Sequence, residues 1–577
     1  NSIGACMACH GLTGKGDGPT AVALNPKPRS FSDGVFQFDT DGDGKTGTDQ
    51  DLKNILAKGT VAYGGSPLMA PRPDIKEPDS IVYLDQGWGI GLGSEDRQTY
   101  YFTGQGAGDG NALKNMRYDW FVNLELPWGK GEEKLFRNPL HMLSYGFQVD
   151  AQVTPDNPHQ LPVGFAKHWD SRLGDYVLDI SCATCHTGNL LVENDDGTTT
   201  SIRIDGGQGM HAFTAANMPH FVPVLIASMT STLVNPIKFN RFALNVLGKE
   251  HYKEGKAALR REFKKTFMAL LKMGYVEKSH GLVTVQEGFA RTDALTRIGN
   301  AVFGDHITAD NYQWVDAPVT YPPLWDIWKF DWVQYSASVA QPMARNVGES
   351  LGVGARFNFL DEYGRPVPEW NRYYTSTRMH DLHNLELTLR KLQPPVWRED
   401  LLGEIDMQKA VKGGIAFIRT CQGCHGPHPA GHRQIKIEAP LKLETDPPSP
   451  HWKMKTLTTS EIGTDATAAL NFVRRTFDLT KTGLSIGEVA AVVGKELNEQ
   501  AKRELAYDFP EVNDACSAEN RVVADGECDA WDKAREQYDK EMAATLNTVD
   551  LSAVSNGVGL WIFGLLMKDT LYAELLK

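Results

Sequence analysis

The sequence predicts a mainly α-helical protein in three domains, with long loops and little β structure, and three observations carry that expectation. Cys-x-x-Cys-His occurs three times, at Cys6/Cys9/His10, Cys182/Cys185/His186 and Cys421/Cys424/His425. Helical periods stand out beside or between these motifs: Gly413, Phe417 and Cys421 recur at i, i+4, i+8, and Lys256 to Met273 and Ala290 to Phe303 follow the helical repeat. Aromatic stretches punctuated by Gly and Pro separate these periods and read as loops.

Each Cys-x-x-Cys-His turn presents two thiols for thioether bonds to the haem vinyl groups. The adjoining histidine can then turn its imidazole onto the iron. One Cys-x-x-Cys alone would also suit half a zinc site or a thiol redox pair. Three copies, each followed at once by His and together using six of the eight cysteines, favour haem. The expected cofactors are therefore three haem c groups, bound by Cys6, Cys9, Cys182, Cys185, Cys421 and Cys424, with His10, His186 and His425 on the irons.

At 577 residues the chain exceeds one compact core. A composition of 41% hydrophobic and 23% charged residues is that of ordinary globular material. The net charge of -13 argues against nucleic acid, and is compatible either with a basic redox partner or simply with solubility. No apolar run approaches the roughly 20 residues that cross a bilayer. Haem c is attached outside the cytoplasm, so a periplasmic, secreted or outer-surface bacterial location is expected, with an export segment removed or left out. Cys516 and Cys528 suit a small disulfide in such a compartment, or free thiols. Only five residues precede Cys6, and Leu560 to Lys577 reads as an uncapped apolar helix, so the sequence reads as a fragment, truncated at its C-terminus.

In chain order, residues 1–78 form the first unit. A Gly-rich stretch after His10, then Pro19, a short helix from Asp49 to Ala57, and Gly64-Gly65-Ser66-Pro67-Leu68-Met69 together resemble a class I cytochrome c. The resemblance implies His10 and Met69 as axial ligands, with the carbonyl of Pro19 fixing the His10 ring. A thioether opposite imidazole raises the potential and suits electron relay; a gap-filling loop methionine is the other reading. Within this unit Asp39, Asp41 and Asp43 alternate before Gly44 as in a calcium loop, but Gln50, flanked by Asp49 and Asp51, replaces the bidentate Glu. Calcium and a solvated Asp/Gly turn both fit. Residues 79–396 form a large second unit around the middle motif, and Leu392 to Trp397 reads as a linker. Residues 397–577 hold the third haem unit.

Tyr83-Leu84-Asp85-Gln86-Gly87-Trp88, Tyr118-Asp119-Trp120-Phe121, Tyr321-Pro322-Pro323-Leu324-Trp325-Asp326 and Met343-Ala344-Arg345-Asn346-Val347-Gly348-Glu349 resemble the rubber oxygenase branch of the dihaem cytochrome c peroxidase superfamily, over residues 80 to 577. The resemblance implies a catalytic haem on Cys182/Cys185/His186 and an electron-storing haem on Cys421/Cys424/His425. Trp325 then matches the tryptophan between the two haems, where an indole shortens an electron hop; it also reads as one core aromatic among 13 tryptophans. The extra N-terminal haem departs from the family. So does the C-terminus, where the sixth ligand of the third iron is not recognisable and Met567 reads as core.

Three functions follow. For a peroxidase, the resemblance implies that Gln334, Arg345 and Glu349, which follow Trp325, lie in the region that supplies a proton carrier, with Glu349 the best carrier; an Arg345–Glu349 helix salt bridge explains the same residues. A haem dioxygenase cleaving an apolar substrate needs O2 in a greasy pocket, which Trp325 to Val333 and Phe357 to Leu360 could line. A non-catalytic electron-transfer subunit needs every iron closed, and His168, His211, His220, His306, His380 and His383 are possible distal ligands, each also readable as structural. The first reading, with peroxide reduced at the middle haem, is the expected one. A small cytochrome or copper protein, or a larger electron-transfer assembly, is the expected partner.

Overall fold

The computed structural model describes residues 28–58, 77–421 and 458–483 with short gaps, together with residues 10, 15–17, 21 and 63. Among them 44% are helical and 13% lie in strands. The mainly α class with little β is therefore corrected to a mixed α/β fold with several sheets. Two of the strands escaped notice because they are buried on both faces: Val177 to Ile180 and Thr200 to Arg203 are runs of consecutive buried residues. Such runs lack the in/out alternation that identifies a half-buried strand.

In chain order, α1 (Asp49–Lys58) is followed by β1 (Ser80–Tyr83) and α2 (Glu95–Phe102). Strands β2 (Phe165–Asp170) and β3 (Asp175–Ile180) form a hairpin with Phe165 opposite Ile180. One helical turn, α3 (Ala183–His186), then leads into β4 (Thr187–Glu193) and β5 (Thr199–Asp205). β5 is central, antiparallel to β4 and parallel to β1, with Thr200 opposite Ser80. Gly197, at φ +79°, closes the β4–β5 turn, and its N–H donates to Asn194 O at 2.9 Å.

α4 (Phe221–Val234) ends at Asn235, whose side chain accepts from the N–H groups of Ile237 and Lys238 and so starts α5 (Pro236–Ser279). The two helices meet at 101°. α5 breaks at Gly248, whose φ of +69° is open to glycine at little cost. No single described helix is long and apolar enough to cross a membrane. Downstream, Ala290 to Phe303 is not one helix: Ala290 has φ +61°, residues 291–292 pair with 319–320, and only α6 (Ala294–Gly299) and a π-helical turn at Asn300–Asp305 remain. α7 (Met343–Gly352), α8 (Met379–Leu389) and α9 (Met407–Thr420) follow. α9 is the lead-in helix expected from Gly413, Phe417 and Cys421, capped by Asp406 accepting from Lys409 N.

Two cores result. One gathers Tyr100, Tyr101, Phe303, Leu324, Leu382 and Leu392; the other is built on Phe121, Phe136, Phe147, Phe165 and Phe221 with α4 and α5. Each fully buried phenylalanine contributes about 1.5–3 kcal/mol of transfer free energy. Leu392, at the head of the expected linker, is fully buried, and Gln393 N donates to Gln86 O at 2.7 Å. Arg475 reaches back from the C-terminal described segment to Asn300 Oδ1 (2.7 Å) and Asn311 O (3.0 Å).

Candidate cofactor site

The middle motif sits on the seam between the cores, for Ala183 belongs to the first and Ile180 to the second. Its turn is held from three sides. Ser181 Oγ lies 3.0 Å from the carbonyls of both Tyr100 and Tyr101. Thr184 Oγ1 donates to Gly164 O at 3.0 Å, and Gly209 N donates to Cys185 O at 2.7 Å. The last two contacts need glycine: a methyl group at Gly164, where φ is +89°, would collide with Thr184, and one at Gly209 would meet Cys185 O at 2.6 Å.

His186 Nδ1 lies 2.7 Å from the carbonyl of Pro322. A carbonyl only accepts, so the ring proton is on Nδ1 and the Nε2 lone pair is left for a metal. Burial holds His186 below its ordinary pKa, with the nearby Glu349 carboxylate opposing, so the ring is neutral as ligation requires. His10 repeats the device: its Nδ1 lies 2.8 Å from Arg29 O and its ring stacks on Phe31 at 4.1 Å. The carbonyl expected from Pro19 is thus supplied by Arg29, the residue after Pro28; Pro19 itself lies outside the described residues.

Cys182, Cys185 and His186 line a cavity of about 1090 Å³, just above the roughly 300–1,000 Å³ usual for cofactor and ligand pockets. Ile226, Met273, Leu282, Ile327 and Phe330 supply much of its apolar wall. Burial pushes the Cys182 thiol up to about 12, helped by Glu349, and Cys185 moves the same way. Zinc needs thiolates whose sulfurs converge with the imidazole on one point. Among the described residues the ligand atoms of Cys182, Cys185 and His186 do not converge so, whereas those of Asp39, Asp41 and Asp43 do. Two neutral thiols and a neutral imidazole spread along an apolar cavity fit a flat macrocycle better than a single ion.

Of the other expected site residues, Glu349 and Arg345 line this cavity. Arg345 forms a buried ion pair with Glu386, to which Asn346 Nδ2 also donates at 2.7 Å. Trp325 is not on the cavity wall; its indole N–H donates to Asp205 O at 2.8 Å. Of the stretch from Trp325 to Val333, Ile327, Phe330 and Val333 reach the cavity, while Phe359 is a core residue. Among the histidines considered as distal ligands whose side chains are described, His211 lines it; the His380 side chain lies outside the described residues. His168 is engaged instead by Arg378, and His220 precedes α4. Cys421 is the C-cap residue of α9, its N–H donating to Phe417 O at 2.8 Å. Cys6, Cys9, Met69, Gln334, Cys424, His425, Cys516, Cys528 and Met567 lie outside the described residues.

The residues missed by sequence reading are those that hold the site from behind. Asp205, at the end of β5, accepts from Arg97 Nε (2.8 Å) and from the Tyr101 hydroxyl (2.5 Å), all three fully buried. Arg97 also donates to Leu84 O at 2.8 Å, and Gln86 Nε2 donates to Asp205 O at 2.9 Å. The Tyr83–Trp88 stretch is therefore a clasp around β5. His211 packs on Phe147 at 4.9 Å, its Nδ1 accepts from Phe213 N, and burial lowers its pKa to about 3. At the Asp39 loop, Asp39 accepts backbone N–H groups of Gly42 and Gly44, and Asp51 turns to Thr40 and Thr48, which hold its carboxyl well below the usual range.

The chain is 28% identical over 482 residues to an uncharacterized protein, y4iJ, of Sinorhizobium fredii (strain NBRC 101917 / NGR234), covering 79% of this chain and 75% of that one. No protein-family model and no solved structure matches.

Proposed function

We propose that the chain is a trihaem c-type oxidoreductase of an extracytoplasmic compartment, reducing peroxide at the middle haem with electrons relayed through the other two. One observation carries the reading: both described motif histidines, His10 and His186, donate Nδ1–H to a backbone carbonyl and leave Nε2 for a metal. The resemblance of residues 80 to 577 to the dihaem peroxidase superfamily supports the same assignment. Bound at Cys182, Cys185 and His186, haem would supply the redox-active iron and an open coordination position. The apolar wall excludes water, the Pro322 carbonyl fixes the proximal ring, and Glu349 offers the cavity a carboxylate able to hold a proton. Steady-state peroxide reduction with a reduced small cytochrome tests this. Turnover is expected, and Glu349→Gln lowers kcat by about 10²–10⁴-fold; a fully loaded protein that leaves peroxide untouched contradicts the reading.

The size and apolar character of the cavity favour one second reading, an oxygenase inserting both atoms of O2 across a carbon–carbon double bond to give two carbonyls. O2 uptake with a polyisoprene substrate, and none with peroxide and donor, is its signature.

A further inference from the structure

On a chain of net charge -13, α5 is a cationic exception. Between Lys249 and Lys278 nine Lys/Arg accompany four Glu. The core side of this stretch is fixed by Leu259, Phe263, Thr266 and Leu270, all buried. The opposite face carries Arg261, Lys264, Lys265 and Lys272, all exposed, around Met268 (51% exposed) and Tyr275 (71%). These positions recur at i, i+3, i+4, i+7, i+11 and i+14, one helical stripe. No ion pair among the described residues engages the four cations. The same helix then enters the candidate site, since Met273, Val276 and Lys278 line the cavity that holds the middle motif.

We propose that this face of α5 docks an acidic electron-transfer protein beside the middle site, a proposal that takes the redox role of that site from the function proposed above. Charge complementarity selects the partner, because a ring of cations on an acidic molecule steers an anionic surface to one orientation and repels a basic one. Met268 and Tyr275 supply the small apolar centre, flexible and flat, that short-lived redox encounters bury. Residues 261–275 span about 21 Å at 1.5 Å per residue, the breadth of a transient interface below about 1,200 Å².

The test is a binding titration of the full chain with an acidic [2Fe–2S] ferredoxin as probe, and a basic cytochrome c as the opposite-sign control. Ferredoxin is expected to bind, with an affinity falling about tenfold or more as ionic strength rises from about 0.01 to 0.15 M. The variant R261Q/K264Q/K265Q should weaken low-salt binding about tenfold at an unchanged unfolding midpoint, and Met268→Ser should weaken it without altering the salt slope. Undiminished binding by the triple variant overturns the proposal. So does a preference for the basic control or for phosphatidylserine vesicles, and so does carbodiimide cross-linking of Lys264 or Lys265 to the chain's own acidic residues 508–541 in place of the probe. Haem content measured on the same sample separates the two claims: a haem-free chain that binds ferredoxin keeps the docking face and removes the trihaem function.

Discussion

The buried imidazoles decide how this molecule answers to acid. His211 is held neutral, with a pKa of about 3 against the ordinary 6.5, and burial lowers His141 and His168 to about 4. The unfolded chain takes up protons below pH 6.5 where the fold does not, so this stability is complete above pH 6.5 and is lost as pH falls from there toward 3. For His211 alone the loss at pH 5 is roughly 2 kcal/mol. Denaturant midpoints at pH 7.5 and pH 5 measure it, and His211→Gln should remove that part of the difference; an acid response unchanged in the variant contradicts the assignment. The Arg97–Asp205 pair predicts a larger effect. Arg97→Met leaves a buried carboxylate beside Tyr101 and should cost about 3–5 kcal/mol, while replacing both partners with apolar groups recovers most of it; equal losses in the single and double variants would rule the pairing out.

Among the elements, the motif turn depends on two close backbone approaches. Gly164→Ala drives a methyl group into Thr184, so the variant should fold around a displaced α3 and retain less haem at the middle motif, read by peptide mass mapping of Cys182 and Cys185. Full occupancy there would mean that the Gly164 approach is not needed. The same elements mark what a sequence reveals. α9 was legible because Asp406, Gly413, Phe417 and Cys421 carry cap and period on an exposed helix, and Lys256 to Met273 falls inside α5. The β2–β3 hairpin and β4–β5 were not, because Asp179, Arg203 and Asp205 are buried polar residues inside strands and disguise the pattern. Their partners, Gly106, Gln148 and Arg97, lie 73, 55 and 108 residues away, and no local window contains both ends of such a bond. Cys182, Cys185 and His186 were readable for the opposite reason, since their chemistry is contained in five consecutive positions. The Pro322 carbonyl, which fixes the His186 ring, is supplied 136 residues later.

At the scale of the whole chain, the cavity of about 1090 Å³ lies between the two cores, and Cys182, Cys185 and His186 are the wall residues that point to its occupant. The cationic α5 runs from the protein surface to that cavity, and the Asp205 clasp ties β1, α2 and β5 behind it, so the proposed docking face, the proposed cofactor site and the scaffold meet at one place. The function proposed for this meeting point requires covalent haem. The most direct measurement is the intact mass of the chain, matured in a host with cytochrome c assembly machinery and then denatured: three haems retained per chain is the predicted result, and fewer than three, or zinc in place of haem at Cys182 and Cys185, would contradict the account.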